Sequence, residues 1–307
     1  MDLKLDVFAH VLPANLLKKM KQDFPDIIQK NLFLQIPSLT DLKLRHQNFP
    51  NDVKQIISNV NLNPEDYYSD TKLTAQLCSD ANEELLKIVQ KNDDIFEAAV
   101  GMLPMNNLPQ AMKIMDKIAQ TDKFVGVQLF TRALDKSIAD KEFESIFEKA
   151  TQLNLPIWLH PVFDSTKRDN NLTFSWEYEL TQAMYQIVKA KYFEKYPNLK
   201  IIVHHAGAMV PFFAGRIKHT MTQQEYLDFK KFYVDTAILG NTKALELAFD
   251  FFGENHMLFG TDAPFAVMPN GDTSEIVSAI NQMDISDLQR QKIYRDNFNN
   301  LLKGRVN

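Results

Sequence analysis

Eight times along 307 residues, a short apolar run gives way to a stretch with helical spacing. The runs are 3–10, 53–60 (VKQIISNV), 95–103 (IFEAAVGML), 124–130 (FVGVQLF), 155–160 (LPIWLH), 199–203 (LKIIV), 232–237 (FYVDTA) and 256–262 (HMLFGTD). Several are apolar throughout, the pattern of strands covered on both faces of a parallel sheet. Between and after them, residues 14–22, 71–91, 108–120, 140–153, 175–196, 241–252, 273–283 and 286–302 read as helices. This alternation predicts an α/β fold of the (β/α)8 TIM-barrel type, with a doubly wound open sheet as the structural alternative. Length alone would suggest two domains, but such barrels exceed that rule as single units, so one domain over 1–307 is expected. Two excursions interrupt the alternation, at 30–50 and 162–173. Both follow strand ends that carry a histidine, so both are expected as walls or lids over the C-terminal face of the strands.

Several function classes fall away on composition. Net charge is −5, with 39 acidic against 34 basic residues, which argues against nucleic acid as a partner. No apolar run reaches the ~18–20 residues of a membrane span. The lone Cys78 cannot form an internal disulfide, and residues 1–6 lack a signal-peptide layout, so a cytoplasmic setting is expected. No phosphate loop, G-x-G-x-x-G, G-x-S-x-G or C-x-x-C occurs.

His10, His160, His205 and Asp262 share one placement: each closes or adjoins a strand run and is followed within three residues by Pro or Gly. In a barrel the C-terminal ends of all strands open onto one face, so four residues distant in sequence meet on one rim. Imidazoles and a carboxylate converging there suit a borderline divalent cation, zinc first and manganese second. Taken singly, each histidine is more often a hydrogen-bonded structural residue; taken together, they point to a site. His204 and His205 are adjacent, and only one of two successive strand side chains faces a given site. His46, His219 and His256 lack the placement and read as surface or locally bonded residues.

The residues also resemble a known family. DVFAHVLP (6–13), GMLPM (101–105), FVGVQLF (124–130), WLHP (158–161), FEKYPNLKIIVHHAGAMVPFFAGRIKH (193–219), FYVDTA and LFGTDAPF resemble the amidohydrolase superfamily nearly end to end. Within it they are most similar to the branch of amino-carboxymuconate-semialdehyde decarboxylase and related non-oxidative decarboxylases. That resemblance implies His10, His160 and Asp262 as metal ligands and His205 as the general acid/base, with Asp262 beside it in catalysis. His205 rather than His204 aligns with the family's strand-six histidine; Ile201, Val203 and His205 would then share the inner side, with His204 turned to the helix layer. The chain departs from the opening D-x-H-x-H at Phe8, which faces the site but offers no lone pair. A metal-poor, weakened small-molecule binder is the alternative that this departure raises. Arg45, in a segment where relatives place a carboxylate-binding arginine, Trp176 and Phe8 are the expected substrate contacts. Arg216 is a weaker candidate.

The resemblance implies a metal-dependent decarboxylase of a small aromatic or unsaturated carboxylic acid. A metal-dependent hydrolase of an amide, lactone or C–C bond would use the same residues with activated water. Relatives often form dimers, which leaves a homodimer open.

Overall fold

Seven short strands run parallel and side by side. They are β1 (Lys4–Val11), β2 (Val53–Asn59), β3 (Phe96–Gly101), β4 (Phe124–Phe130), β5 (Ile157–His160), β6 (Ile201–Val203) and β7 (Tyr233–Val234), ordered β1-β2-β3-β4-β5-β6-β7. This is a computed structural model, and it describes residues 3–47, 49–164, 167, 171–265 and 273–304. The strands are joined by helices, as parallel neighbours require. The longest is Thr71–Lys91, started by Asp70, whose carboxylate accepts from the Lys72 and Leu73 amides. The sheet curls, and residues 256–263 lie between its two edges. On one side the Val234 amide donates to His256 O and the Leu258 amide to Val234 O. On the other, Val7 N donates to Phe259 O, Asp262 N to Phe8 O and His10 N to Ala263 O, at 2.7–2.8 Å. The run expected as a full eighth strand thus makes isolated bridges, Val234 with Met257 and Ala9 with Ala263, instead of a ladder.

Both faces of the sheet are buried, and side chains sort by parity. Ile57, Ala99, Ile157, Leu159, Ile201, Val203, Val234 and Phe259 join the large core beneath the helices. Phe8, Ile56, Ala98, Val100, Trp158, Ile202 and Leu258 form a second cluster on the concave side, which Val7 joins where the β1 register shifts between Asp6 and Ala9. Trp158 fills its centre and donates its indole N–H to Val7 O at 2.8 Å. Every second residue beyond this inner set points at the C-terminal rim: His160 after Trp158, His204 after Ile202, and Asp262 four after Leu258.

Two helices expected as single runs are broken. The 175–196 stretch divides into Trp176–Lys189 and Tyr192–Lys195, because Lys191 turns left-handed at φ 60°. The 286–302 stretch is interrupted by a π-helical turn at Lys292–Asp296. The first excursion is not irregular: it holds the short helices Leu32–Gln35, Pro37–Leu39 and Leu42–Gln47. The second lies partly outside the described residues. Among the described residues, no helix is long and apolar enough to cross a membrane.

Candidate metal centre

Four side chains meet at the rim. His10, His160, His204 and Asp262 each offer one donor atom, and these atoms all lie within 4.8 Å of one another. His10 Nε2 is 3.1 Å and His204 Nε2 is 3.3 Å from Asp262 Oδ1. A cation about 2.1 Å from each of four tetrahedral donors would hold them about 3.4 Å apart, so the spacing fits.

The outer nitrogen of each ring is already engaged. His10 Nδ1 bonds Ser58 Oγ at 2.9 Å, across the β1–β2 register that pairs those two residues. His160 Nδ1 lies 2.6 Å from the Pro161 carbonyl, which can only accept, so its proton sits on Nδ1 and Nε2 is left bare. His204 Nδ1 makes a short bond to Asp235. That carboxylate also accepts the Ala206 and Ala237 amides. His10 Nε2 and His204 Nε2 are buried with no hydrogen-bond partner. Buried polar atoms are rarely left so, and three imidazoles oriented by outer partners are the signature of a metal-ligand set. The residues therefore fit a divalent cation.

Electrostatics hold two of the three rings neutral. Burial lowers the pKa of His10, against the pull of Asp262. Burial, with the neighbouring His10 and His204, holds His160 well below its usual range, so both rings favour the neutral form that binds metals. For His204 burial lowers as well, but Asp235 and Asp262 outweigh it and raise the ring, so a cation bound there would displace a proton from it. Burial would raise Asp262, yet the adjacent His204 and His10 rings keep this carboxyl well below the usual range. It is a carboxylate at neutral pH.

The structure brings together His10, His160 and Asp262 of the residues singled out by sequence. It corrects the face of the histidine pair. Ile202 and His204 are inward, while Ile201 and Val203 face the helices. The strand ends at Val203, and the chain then passes through left-handed residues at His205 (φ 55°), Ala206 (53°), Gly207 (75°) and Ala208 (54°). Strand alternation cannot be extended past such a turn. Only glycine fits at 207, where a Cβ would stand 2.5 Å from the Phe252 ring. His205 is delivered by the turn to the mouth, its ring 4.0 Å from that of His204. Its Nδ1 donates to Glu177 Oε1 at 2.6 Å. Trp176 stands beside it, its ring 6.2 Å from the rings of both His160 and His205 and its N–H bonded to Val162 O.

Two expected substrate contacts, Arg45 and Phe8, are buried beside the donor cluster. Arg45 is buried and four of its N–H donors are engaged within the protein: Nη1 to His10 O (2.6 Å), Nε and Nη2 to Gln55 Oε1 (3.2 and 2.6 Å), and Nη2 to Ala263 O (3.5 Å). Gln55 passes the chain of bonds to Asp6, which also accepts from Thr261 Oγ. Burial, only partly offset by those bonds, pushes Asp6 up to about 6. Arg45 is thus a clamp on the backbone that carries His10 and flanks Asp262, buried and with four of its five N–H donors engaged there. Phe8, 1% exposed, is covered by His204, its ring 3.8 Å away and nearly parallel. Arg216 lies on the helix Ala214–Thr220, outside the donor cluster. Sequence reasoning missed Ser58, Glu177 and Asp235. Asp235 alone left a trace, as the one charge in the strand run FYVDTA.

The family model described as amidohydrolase matches residues 62–301. This chain belongs to the amidohydrolase family. It is 23% identical to the 2-amino-3-carboxymuconate-6-semialdehyde decarboxylase of Dictyostelium discoideum, over 86% of this chain and 82% of that protein. Its fold matches a crystal structure of 2,6-dihydroxybenzoate decarboxylase complexed with 2,6-dihydroxybenzoate (TM-score 0.80, 21% identity, 99% of this chain and 100% of that one). It also matches a dihydroxybenzoic acid decarboxylase from Polaromonas with bound manganese and 2-nitroresorcinol as inhibitor (TM-score 0.78, 21% identity, 99% and 97% covered).

Proposed function

We propose that this chain is a metal-dependent decarboxylase of a small aromatic or unsaturated carboxylic acid. The observation that carries the reading is the donor cluster itself: three imidazoles with their outer nitrogens bound and their inner nitrogens aimed at an ionised carboxylate, beside a further histidine at the mouth. The decarboxylases among its relatives narrow the chemistry. We further read residues 257–263 as the eighth stave of a (β/α)8 barrel, hydrogen-bonded to β1 and β7, with the whole chain one domain. The buried, unbridged Cys78 suits a reducing compartment such as the cytoplasm.

His10, His160, His204 and Asp262 would hold the cation. Nitrogen donors with one carboxylate favour zinc, and manganese is the alternative carried by the Polaromonas protein. When bound, the cation supplies a fixed positive charge that draws in an anionic substrate and favours charge developing on its oxygen. Trp176 offers a flat wall beside His160 and His205, suited to an aromatic or conjugated substrate. His205 is the proton carrier: Glu177 fixes its Nδ1, which leaves Nε2 for the substrate. In the reaction the carbon bearing the carboxylate gains a proton, the bond to that carboxylate breaks, and its electron pair returns to the unsaturated system as CO2 leaves.

A panel of hydroxybenzoates and unsaturated dicarboxylates, followed by mass spectrometry in D2O, tests this. Decarboxylation gives loss of CO2 with one deuterium at the former carboxyl carbon. Addition of water to an amide, lactone or C–C bond would instead establish the hydrolase, and no turnover of any panel member with metal bound would count against the reading.

A further inference from the structure

Phe8 stands on β1 two residues before His10, among the ligand rings, and has no atom that can bind a metal. Its ring centroid is 5.7 Å from His10 and 5.9 Å from His160, but only 3.8 Å from His204, with 11° between the planes. Asp235 holds His204 by Nδ1. A bond at one edge of an imidazole leaves the ring free to tilt, and Nε2, on the far edge, moves most when it does. A flat apolar surface against the ring face removes that tilt and competes for neither nitrogen. Gly260 makes the arrangement sterically accessible: a Cβ there would lie 2.7 Å from Asp235 Cβ and 3.1 Å from Phe8 Cβ. The bare backbone at 260 thus gives room to both residues that hold His204.

We propose that Phe8 is a positioning residue, the seat that keeps His204 in the metal's donor set. This rests on the reading of His204 as a donor. The ring that replaces a potential ligand on β1 thereby secures a different ligand from the turn after β6. Among the donor rings only His204 is stacked on Phe8, while His10 and His160 meet it edge-on or tilted at 5.7 and 5.9 Å, so most of its effect should vanish when His204 is absent.

The test is a double-mutant cycle on metal-depleted protein, read as Zn²⁺ affinity by competition with a chromophoric chelator. Phe8→Leu keeps an apolar side chain but loses the flat face, and is expected to weaken binding about 10-fold, the scale of outer-shell ligand support. His204→Ala is expected to weaken it at least as much, and Phe8→Leu should then add little. Wild-type affinity in Phe8→Leu would overturn the proposal. So would an equal loss with and without His204, since Phe8 would then act by another route. Wild-type affinity in His204→Ala would instead remove His204 from the donor set and take the proposal with it. Gly260→Ala, which crowds Phe8 and Asp235 from the other side, serves as a second variant if Phe8→Leu does not fold. It should weaken Zn²⁺ binding mainly while His204 is present, and an unchanged affinity or a His204-independent loss would overturn the proposal.

Discussion

Asp235→Asn isolates the role of a single oxygen. Asp235 is buried; one carboxylate oxygen accepts the Ala206 and Ala237 amides at 3.1 and 3.0 Å, and the other takes His204 Nδ1. An asparagine can keep the first oxygen in place, so the turn after β6 retains both amide bonds. The second oxygen becomes an NH2 that faces Nδ1. Two donors cannot share that contact, so His204 must move its proton to Nε2, where a metal would need the lone pair, or turn away. A tautomer swap of this kind removes one of four donors without removing a side chain. Loss of an outer-shell partner costs 10–100-fold in metal affinity, or about 1.4–2.7 kcal/mol. Chelator competition on metal-depleted protein reads the affinity, and thermal unfolding of the metal-free forms checks that the fold is intact. Unchanged affinity in a folded Asp235→Asn protein would refute the claim that His204 Nε2 is a donor oriented by Asp235.

Other expectations follow from the same geometry. His205→Gln should lower turnover by about 10²–10⁴-fold while metal content stays at the wild-type level; retained turnover would remove His205 from proton transfer. Arg45→Met leaves Gln55 Oε1 and His10 O without their charged donor, so it should destabilise the fold by about 2–4 kcal/mol, measured by denaturant unfolding. If it raised KM without loss of stability, Arg45 would be a substrate contact after all. Glu65 is pushed up to about 8 by burial, and its Oε2 has no partner. A carboxyl with a raised folded-state pKa contributes fully below its ordinary value of about 4.5 and loses that contribution as pH rises toward 8. Glu65→Gln stays neutral throughout. It should match wild type near pH 4 and exceed it at pH 9 by up to about 5 kcal/mol, at about 1.36 kcal/mol per pH unit between the ordinary and the raised value; a gap independent of pH would show that Glu65 does not titrate in that window.

Much of the fold was legible because long periodic stretches speak for themselves. The helix at 71–91 and the strand at 124–130 have the bounds that their patterns imply. The candidate donors His10, His160 and Asp262 stood at strand ends, where parallel topology brings residues onto one rim. The inward face of β6 was not legible. Leu199–Val203 is apolar without alternation because both faces of a parallel sheet are covered, so nothing in the run says which parity is inside. The left-handed turn at 205–208 then breaks the alternation that a counting argument needs. Arg45 was misplaced for a related reason: a motif position identifies a side chain but not whether its donors are already engaged. Glu177 and Asp235 reach their histidines across 28 and 31 residues, through packing that no local pattern records.

Anomalous X-ray scattering from crystals loaded with zinc or manganese goes straight to the centre of the account. The expected result is one strong peak per chain, within bonding distance of His10 Nε2, His160 Nε2, His204 Nε2 and an Asp262 oxygen. A peak elsewhere, a peak that excludes His204, or no peak from protein saturated with metal would contradict it.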